Sequence, residues 1–491
     1  MKKSIFGILL MMEGFFLLLA LMISFHYGEG DYKAFLITAL ICFGVGALCK
    51  WVGETRGDTH MTRSDSFLVV ALSWVVFSAL GMIPFMMLRD MDMASAFFET
   101  MSGFTTTGAT CINDIDSMTH ALKFWRSITQ WMGGLGIVVF SFALIPVYEM
   151  KNSNVFSAEV TGLGLDKLTP RIGSTARRLL LIYLLLTGVC VLCYWAGPMN
   201  LFDAVCHSMT TIATGGFSTH TASIAYYHST YLEYVCPVFM LLSSVNFSLY
   251  YYMSIRRPQV LLKNEELRVF LCIVAFMVAF FMFLFYMAPL VHVRDVASLP
   301  QGFEERLRSA FFHVSTTITS TGFSAQKFDY VAWGPSFWMP TVVIMAIGAC
   351  AGSTAGGIKV VRILICAKSV IKEFVLQLHP RAVIGVRISG HIVPDDKVRR
   401  ALAFIFLYII LVVIAMLCYS LLGADVDTAL GSSISMLSNV GPATGSTGPA
   451  SNFAHVPAAG KWLMSAYMLI GRLEIFTILF LFMPSFWKDR K

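Results

Sequence analysis

Charge is scarce in this chain. Lys, Arg, Asp and Glu make up 13% of its 491 residues, against 57% hydrophobic residues and a mean hydropathy of +0.71. A soluble domain carries about a quarter charged residues, so ordinary water-soluble enzymes and binding modules are excluded. Metal-type cysteine patterns are missing as well: the 11 cysteines are scattered, with no CxxC beside a histidine cluster and no regular spacing. Cys190 and Cys193 fall on one apolar segment and read as packing residues. There is no HExxH, no GxSxG and no converging carboxylate pair, which leaves a polytopic membrane enzyme without its chemistry. The Gly133-Gly134-Leu135-Gly136 cluster follows no strand, so it reads as close helix packing against a neighbour and not as a nucleotide loop.

What is present is a series of about ten apolar stretches, most of them long enough to cross a bilayer. They cover 5–25, 34–49, 67–88, 124–147, 179–195, 231–253, 269–291, 337–365, 401–422 and 461–486. The first follows Lys2 and Lys3, as a secretory signal would, but it is long and no small-residue cleavage pattern follows at His26-Tyr27-Gly28-Glu29. A retained helix is the expectation. With the N-terminus in the cytoplasm, most of the 36 basic residues fall in cytoplasmic loops, and the C-terminus is cytoplasmic too. The net charge of +7 is then a topology signal, since no nucleic-acid-binding motif accompanies it.

Four short segments look alike: Thr-Thr-Gly-Ala around Gly108, Ala-Thr-Gly-Gly around Gly215, Ser-Thr-Gly-Phe around Gly322 and Asn-Val-Gly-Pro around Gly441. The glycines lie 107, 107 and 119 residues apart, and each follows an apolar run too short to span. Ser95-Ala96-Phe97-Phe98 and Ser309-Ala310-Phe311-Phe312 stand at equal offsets before Gly108 and Gly322; Phe202-Asp203-Ala204 and Thr428-Ala429-Leu430 take that place in the other two units. Such a chain can fold four copies of one hairpin around an axis and present four backbone loops to one ion. A desolvated cation needs oxygen ligands, backbone carbonyls supply them, and glycine permits the backbone angles that aim them inward. Irregular backbone at membrane depth is tolerated where it lines an aqueous path.

Two further features stand out. Four glycines among Gly348, Ala349, Cys350, Ala351, Gly352, Ser353, Thr354, Ala355, Gly356 and Gly357 interrupt the stretch 337–365, and each costs about 1 kcal/mol relative to alanine inside a helix. A break is expected there, with a small-residue packing face as the alternative. Lys359, just after it, either lines the lower pore or reaches back toward the cytoplasm. Arg472 lies in the last apolar stretch, where an arginine costs roughly 2.5 to 3.5 kcal/mol, so it faces a cavity or a partner in another repeat. Glu474, two residues on, points elsewhere on a helix. Glu99, His313 and Asp203 read as packing and capping groups of the short helices, with proton coupling as the alternative for them.

Phe104-Thr105-Thr106-Thr107-Gly108-Ala109-Thr110, Trp125-Arg126-Ser127 with Gln130-Trp131-Met132-Gly133-Gly134-Leu135-Gly136, and Ser438-Asn439-Val440-Gly441-Pro442 together resemble the bacterial Trk/Ktr potassium-uptake superfamily over essentially the whole chain. The two apolar stretches ahead of the first repeat resemble its TrkH branch. The resemblance implies an all-α polytopic membrane protein of the bacterial inner membrane, with four helix, pore-helix, helix repeats around one pore plus two N-terminal helices. The corresponding division is an extension over 1–60 and repeats over 61–150, 151–258, 259–378 and 379–491. It further implies a K⁺ filter of Thr106, Thr107 and Gly108; Ala213, Thr214 and Gly215; Ser320, Thr321 and Gly322; and Asn439, Val440 and Gly441. A gate of Gly348, Gly352, Ser353, Thr354, Gly356, Gly357 and Lys359 is implied beneath it, with Arg472 alongside. K⁺ is the implied cargo, no organic cofactor is expected, and the implied partners are a second copy of the chain and a cytoplasmic nucleotide-binding ring of the TrkA kind. None of the four segments matches the longer TVGYG sequence of potassium channels, so weaker discrimination against rubidium or sodium is expected. A sodium-dependent KtrB-like transporter is the nearest alternative.

Overall fold

The computed structural model describes residues 2–55, 63–136, 172–254, 259–288 and 293–488. Two N-terminal helices, α1 (Lys2–Tyr27) and α2 (Tyr32–Thr55), form a tight antiparallel pair. Gly7, Gly46 and Gly53 make the approach possible, because a Cβ on any of them would meet the opposing backbone.

The rest follows one plan four times. A leading helix is followed by a short buried helix, an irregular loop, and a returning helix. The leading helices are α3 (Arg63–Gly81, continued by α4, Ile83–Arg89), α7 (Ile172–Trp195), α11 (Glu265–Met287) and α15 (Asp395–Leu421); their short partners are α5 (Met93–Phe104), α8 (Leu201–Ile212), α12 (Phe303–Ile318) and α16 (Val426–Ser438). The returning helices are α6 (His120–Leu135), α9 (Thr230–Ser243), α13 (Pro335–Ile347) and α17 (Ala458–Arg472). The first two short helices are capped by side chains where the chain enters them: Asp92 accepts from the Ala94 and Ser95 amides, and Asn200 from the Asp203 amide at 2.8 Å. They carry Ser and Thr on faces that are nevertheless buried, which suits a helix at the centre of a bundle.

Each short helix packs on the leading helix of its own repeat and on the returning helix of the previous one. Thus α8 lies on α6, α12 on α9, α16 on α13 and α5 on α17, closing a ring. Among the described residues six helices are long and apolar enough to cross a membrane.

Three expected spans are not straight. The stretch 231–253 divides into α9 and α10 (Phe247–Ser254), bent by 86°; 461–486 divides at Leu473 into α17 and α18 (Glu474–Leu479), with a bend of 111°. The stretch 337–365 is broken as expected, into α13 and α14 (Val360–Leu378). The physical reason for the first bend is tertiary: the Ser244 carbonyl accepts from Cys350 N at 3.3 Å and Phe247 N donates to Gly352 O at 3.0 Å, so backbone freed by one break is satisfied by another. The expected span 124–147 runs beyond the described residues after Gly136. A two-stranded hairpin, β1 (Arg387–Ile388) with β2 (His391–Ile392), joins α14 to α15.

Candidate ion-conduction site

The C-terminal ends of α5, α8, α12 and α16 deliver four loops that repeat the same backbone trace. Two residues apart in each loop, φ turns positive: Thr106 (52°) and Gly108 (84°), Thr214 (54°) and Gly216 (77°), Ser320 (54°) and Gly322 (78°), Asn439 (55°) and Gly441 (98°). For threonine this left-handed conformation costs on the order of 1–3 kcal/mol. It is held by matching hydrogen bonds, Thr107 N to Ser102 O at 2.9 Å, Gly215 N to Thr210 O at 2.8 Å, Thr321 N to Thr316 O at 3.0 Å and Val440 N to Ser435 O at 3.0 Å. The Asn-Val-Gly-Pro segment, the least similar in sequence, adopts the same conformation because asparagine enters the left-handed region readily.

The second repeat is shifted by one residue from the expected alignment. Gly216, not Gly215, holds the position of Gly108, Gly322 and Gly441, while Ala213 matches Thr105 and Thr319. Adjacent glycines hid this. The corrected register places Ala96, Ala204, Ala310 and Ala429, all buried, twelve residues before their glycines. It also aligns Glu99, His207, His313 and Ser432 nine residues before, each wholly buried behind its loop.

The loops meet in cyclic order. A Cβ on Gly108 would overlap the carbonyl oxygen of Gly215, one on Gly216 that of Thr321, one on Gly322 that of Val440, and one on Gly441 that of Thr107. Four equivalent carbonyls are thus packed against four glycines around one axis. The negative ends of four helix dipoles point at the same place, which favours a cation.

Buried bonds brace these loops from behind. Glu99 accepts from Arg126 Nε at 2.9 Å and from Cys111 N at 2.9 Å, and Arg126 donates to Ser218 O at 2.9 Å, tying repeat 1 to repeat 2. Asn439 Nδ2 donates to Thr107 Oγ1 and to Met468 O, both at 2.9 Å. Gly133 and Gly134 let α6 wedge against Phe104 O and Ala213. Outside the loops, His220 lies between Asp116 Oδ1 (2.6 Å) and Asp203 Oδ2 (3.2 Å) and stacks on Tyr226. Partial burial lowers the His220 pKa, but the two carboxylates outweigh it and leave it raised; burial opposes, and the hydrogen bonds from His220 and Thr221 produce, a lowered Asp116.

Beneath the loops lies the broken segment 348–359. Gly348, Gly352 and Gly357 take left-handed angles, as does Lys359. Thr354 Oγ1 donates to Ile212 O and Ser243 O, both at 3.2 Å; Gly356 N donates to Ser320 Oγ at 2.7 Å; and Gly356 abuts Ser438 O so closely that no Cβ fits. Ser353 is turned back on Cys350 O at 2.6 Å. The segment therefore touches repeats 2, 3 and 4 directly under their loops. Ala351 N donates to Glu266 at 2.7 Å, anchoring it to α11. Lys359 does not reach outward: it is buried and bonds to Ala355 O.

Arg472 reaches Thr354 O at 2.6 Å and Gly133 O at 3.1 Å. Among the described residues its hydrogen-bond partners are backbone oxygens and none is a carboxylate, which speaks against the salt-bridge alternative; Glu474 pairs with Arg362. Sequence reasoning missed Gly216, His207 and the bracing role of Arg126 and Gln130, although the motif holding the last two was in view.

A family model for cation transport proteins, TrkH, matches residues 31–489. The Trk system potassium uptake protein TrkH of Salmonella typhimurium is 34% identical over 99% of this chain and 98% of its own length, and that of Halomonas elongata 36% over 99% of each. The crystal structure of the potassium transporter TrkH from Vibrio parahaemolyticus superposes with a TM-score of 0.87 at 32% identity, covering 99% of this chain and 98% of that one. On this near-complete match in sequence and architecture, the chain belongs to the TrkH family of cation transporters, which are not enzymes.

Proposed function

We propose that this chain is the membrane subunit of a bacterial potassium-uptake system, conducting K⁺ through the ring of four loops and gated by the segment 348–359. The observation that carries the reading is the cyclic packing of the Thr107, Gly215, Thr321 and Val440 carbonyls against the glycines of neighbouring repeats. Carbonyls replace the hydration shell of a K⁺ ion without the deep trap that fixed carboxylates would create. The potassium-transporting relatives named above support the choice of cargo. Four different strands, with no second threonine-valine-glycine layer, leave fewer stacked sites than a potassium channel has, and weaker selectivity follows.

In this reading the ion enters from the side of the short-helix N-termini, passes the ring, and meets segment 348–359 as a plug. Arg472 holds the plug and opposes cations at its level. Opening is driven from the cytoplasm through α14, by a nucleotide-binding ring of the TrkA kind acting on a homodimer of this chain. Expression in a bacterial strain unable to grow at low external K⁺ should restore growth. The purified chain in liposomes should pass K⁺ down an imposed gradient; flux equal to empty liposomes, with and without Na⁺ or pH gradients and with its regulator present, rejects the reading.

A further inference from the structure

We propose that Gln130 is the positioning residue of the second filter strand, standing in for the side chain that Gly215 lacks, and that it sets how well the ring discriminates K⁺ from Na⁺. The inference rests on the filter reading above. Gly215 has no left-handed φ, so its backbone does not call for glycine. What it provides is room, because a Cβ there would collide with the Gln130 amide.

In the equivalent positions Thr107, Thr321 and Val440 carry buried side chains of their own. Thr107 and Thr321 also bond to the hydroxyls of Thr105 and Thr319, each at 2.8 Å. The second repeat has Ala213 and Gly215 there and lacks both halves of this brace. Gln130 comes from α6 of the first repeat and supplies it. Its Nε2 donates to Gly215 O at 2.6 Å and its Oε1 accepts from Phe217 N at 3.0 Å, an orientation fixed by the two backbone partners. The side chain is wholly buried, and one turn earlier Arg126 lies 4.0 Å over the Phe217 ring.

The oxygen that Gln130 binds belongs to the ring itself. Among the described residues no side chain donates to the Thr107, Thr321 or Val440 carbonyls. One of four dipoles is therefore clamped and partly engaged, while three are free to follow the ion. Selectivity in a carbonyl ring depends on the number and strength of its dipoles, so the clamped quarter is where it is tuned.

The test uses the full chain in liposomes, with K⁺/Na⁺ permeability ratios measured for Gln130→Met, Gly215→Thr, the double variant Gln130→Ala with Gly215→Thr, and Gly322→Ser as a reference for the ring. Gln130→Met keeps the volume and removes both bonds, and should lower the ratio about fivefold or more. Gly215→Thr alone should do the same through its clash. The double variant, which gives the second strand its own side chain, should recover at least half of the loss on a logarithmic scale. A ratio within twofold of wild type in Gln130→Met, with Gly322→Ser impaired, overturns the role of Gln130 and leaves the filter intact. Wild-type ratios in Gly322→Ser as well overturn the filter reading. Should Gln130→Met not assemble, the double variant decides: restored selectivity supports the substitution of one side chain for the other, and a ratio no better than that of Gly215→Thr, or failure of the double variant to assemble, counts against it.

Discussion

Arg472, at the end of α17, donates a 2.6 Å hydrogen bond to the backbone oxygen of Thr354 in the broken segment of the third repeat. A second bond runs from the same guanidinium to Gly133 O in the first repeat. One buried cation thus ties the segment 348–359 to two other quarters of the ring. Hydrogen bonds to a charged group contribute about 1.5–3 kcal/mol each. Arg472→Ala should therefore raise basal K⁺ flux in liposomes by roughly tenfold or more while the protein still assembles. Unchanged basal flux in an assembled variant removes the latch.

The plug itself is tested by shortening it. Deleting a few residues between Ala349 and Ala355 removes the bonds to Ile212 O, Ser243 O and Glu266. Basal flux should rise and its dependence on a cytoplasmic regulator should weaken, with the K⁺/Na⁺ ratio near that of the wild type. Low flux that stays regulator-dependent places the gate elsewhere.

Serine at the ring glycines tests the ion path. Gly216→Ser puts a side chain into a left-handed position and onto Thr321 O, as Gly108→Ser does onto Gly215 O. Both should lower K⁺ over Na⁺ selectivity without blocking membrane insertion, since the strain of roughly 1–2 kcal/mol from the left-handed angle is local. Ion competition in an uptake assay reads the effect, and preserved selectivity in both variants removes these residues from the ion path.

His220 predicts a pH dependence. Bonding both Asp116 and Asp203 requires both ring nitrogens to donate, which only the protonated imidazole does. Because its pKa is raised in the folded state, its contribution is complete below the ordinary histidine value of 6.5 and is lost as pH rises through the folded value. The lowered Asp116 works in the opposite sense, and its contribution is present above the usual aspartate value of 3.8 and lost as pH falls through its folded one. Thermal stability in detergent should accordingly decline in the wild type as pH rises above 6.5. His220→Gln should flatten that decline, and an identical slope in both proteins rules out the clamp.

The ring was legible because a left-handed angle leaves a residue-type signature: Gly108, Gly322 and Gly441 announce themselves. Gly215 and Gly216 do not, since either glycine satisfies a reader who looks at the loop alone; the alanine at 204, in step with 96, 310 and 429, carries the missing information. The break at Gly348–Gly357 was legible for the same reason as the ring. The bends after Ser243 and at Leu473 were not, because both sides of each are apolar, and after Ser243 the freed backbone finds its partners in another repeat. The cost of burying Arg472 could be read in the sequence, but not its acceptors, for backbone oxygens belong to every residue alike.

The four strands stand once each on a single polypeptide, so a point mutation touches one side of the ring and leaves three unaltered. In a channel assembled from four identical chains every substitution is multiplied by four, and a change that suits one side must suit all. Here inheritance acts on each side separately. That freedom is visible in the ring itself, where threonine, an empty glycine backed by a borrowed amide, threonine again and valine occupy one and the same level.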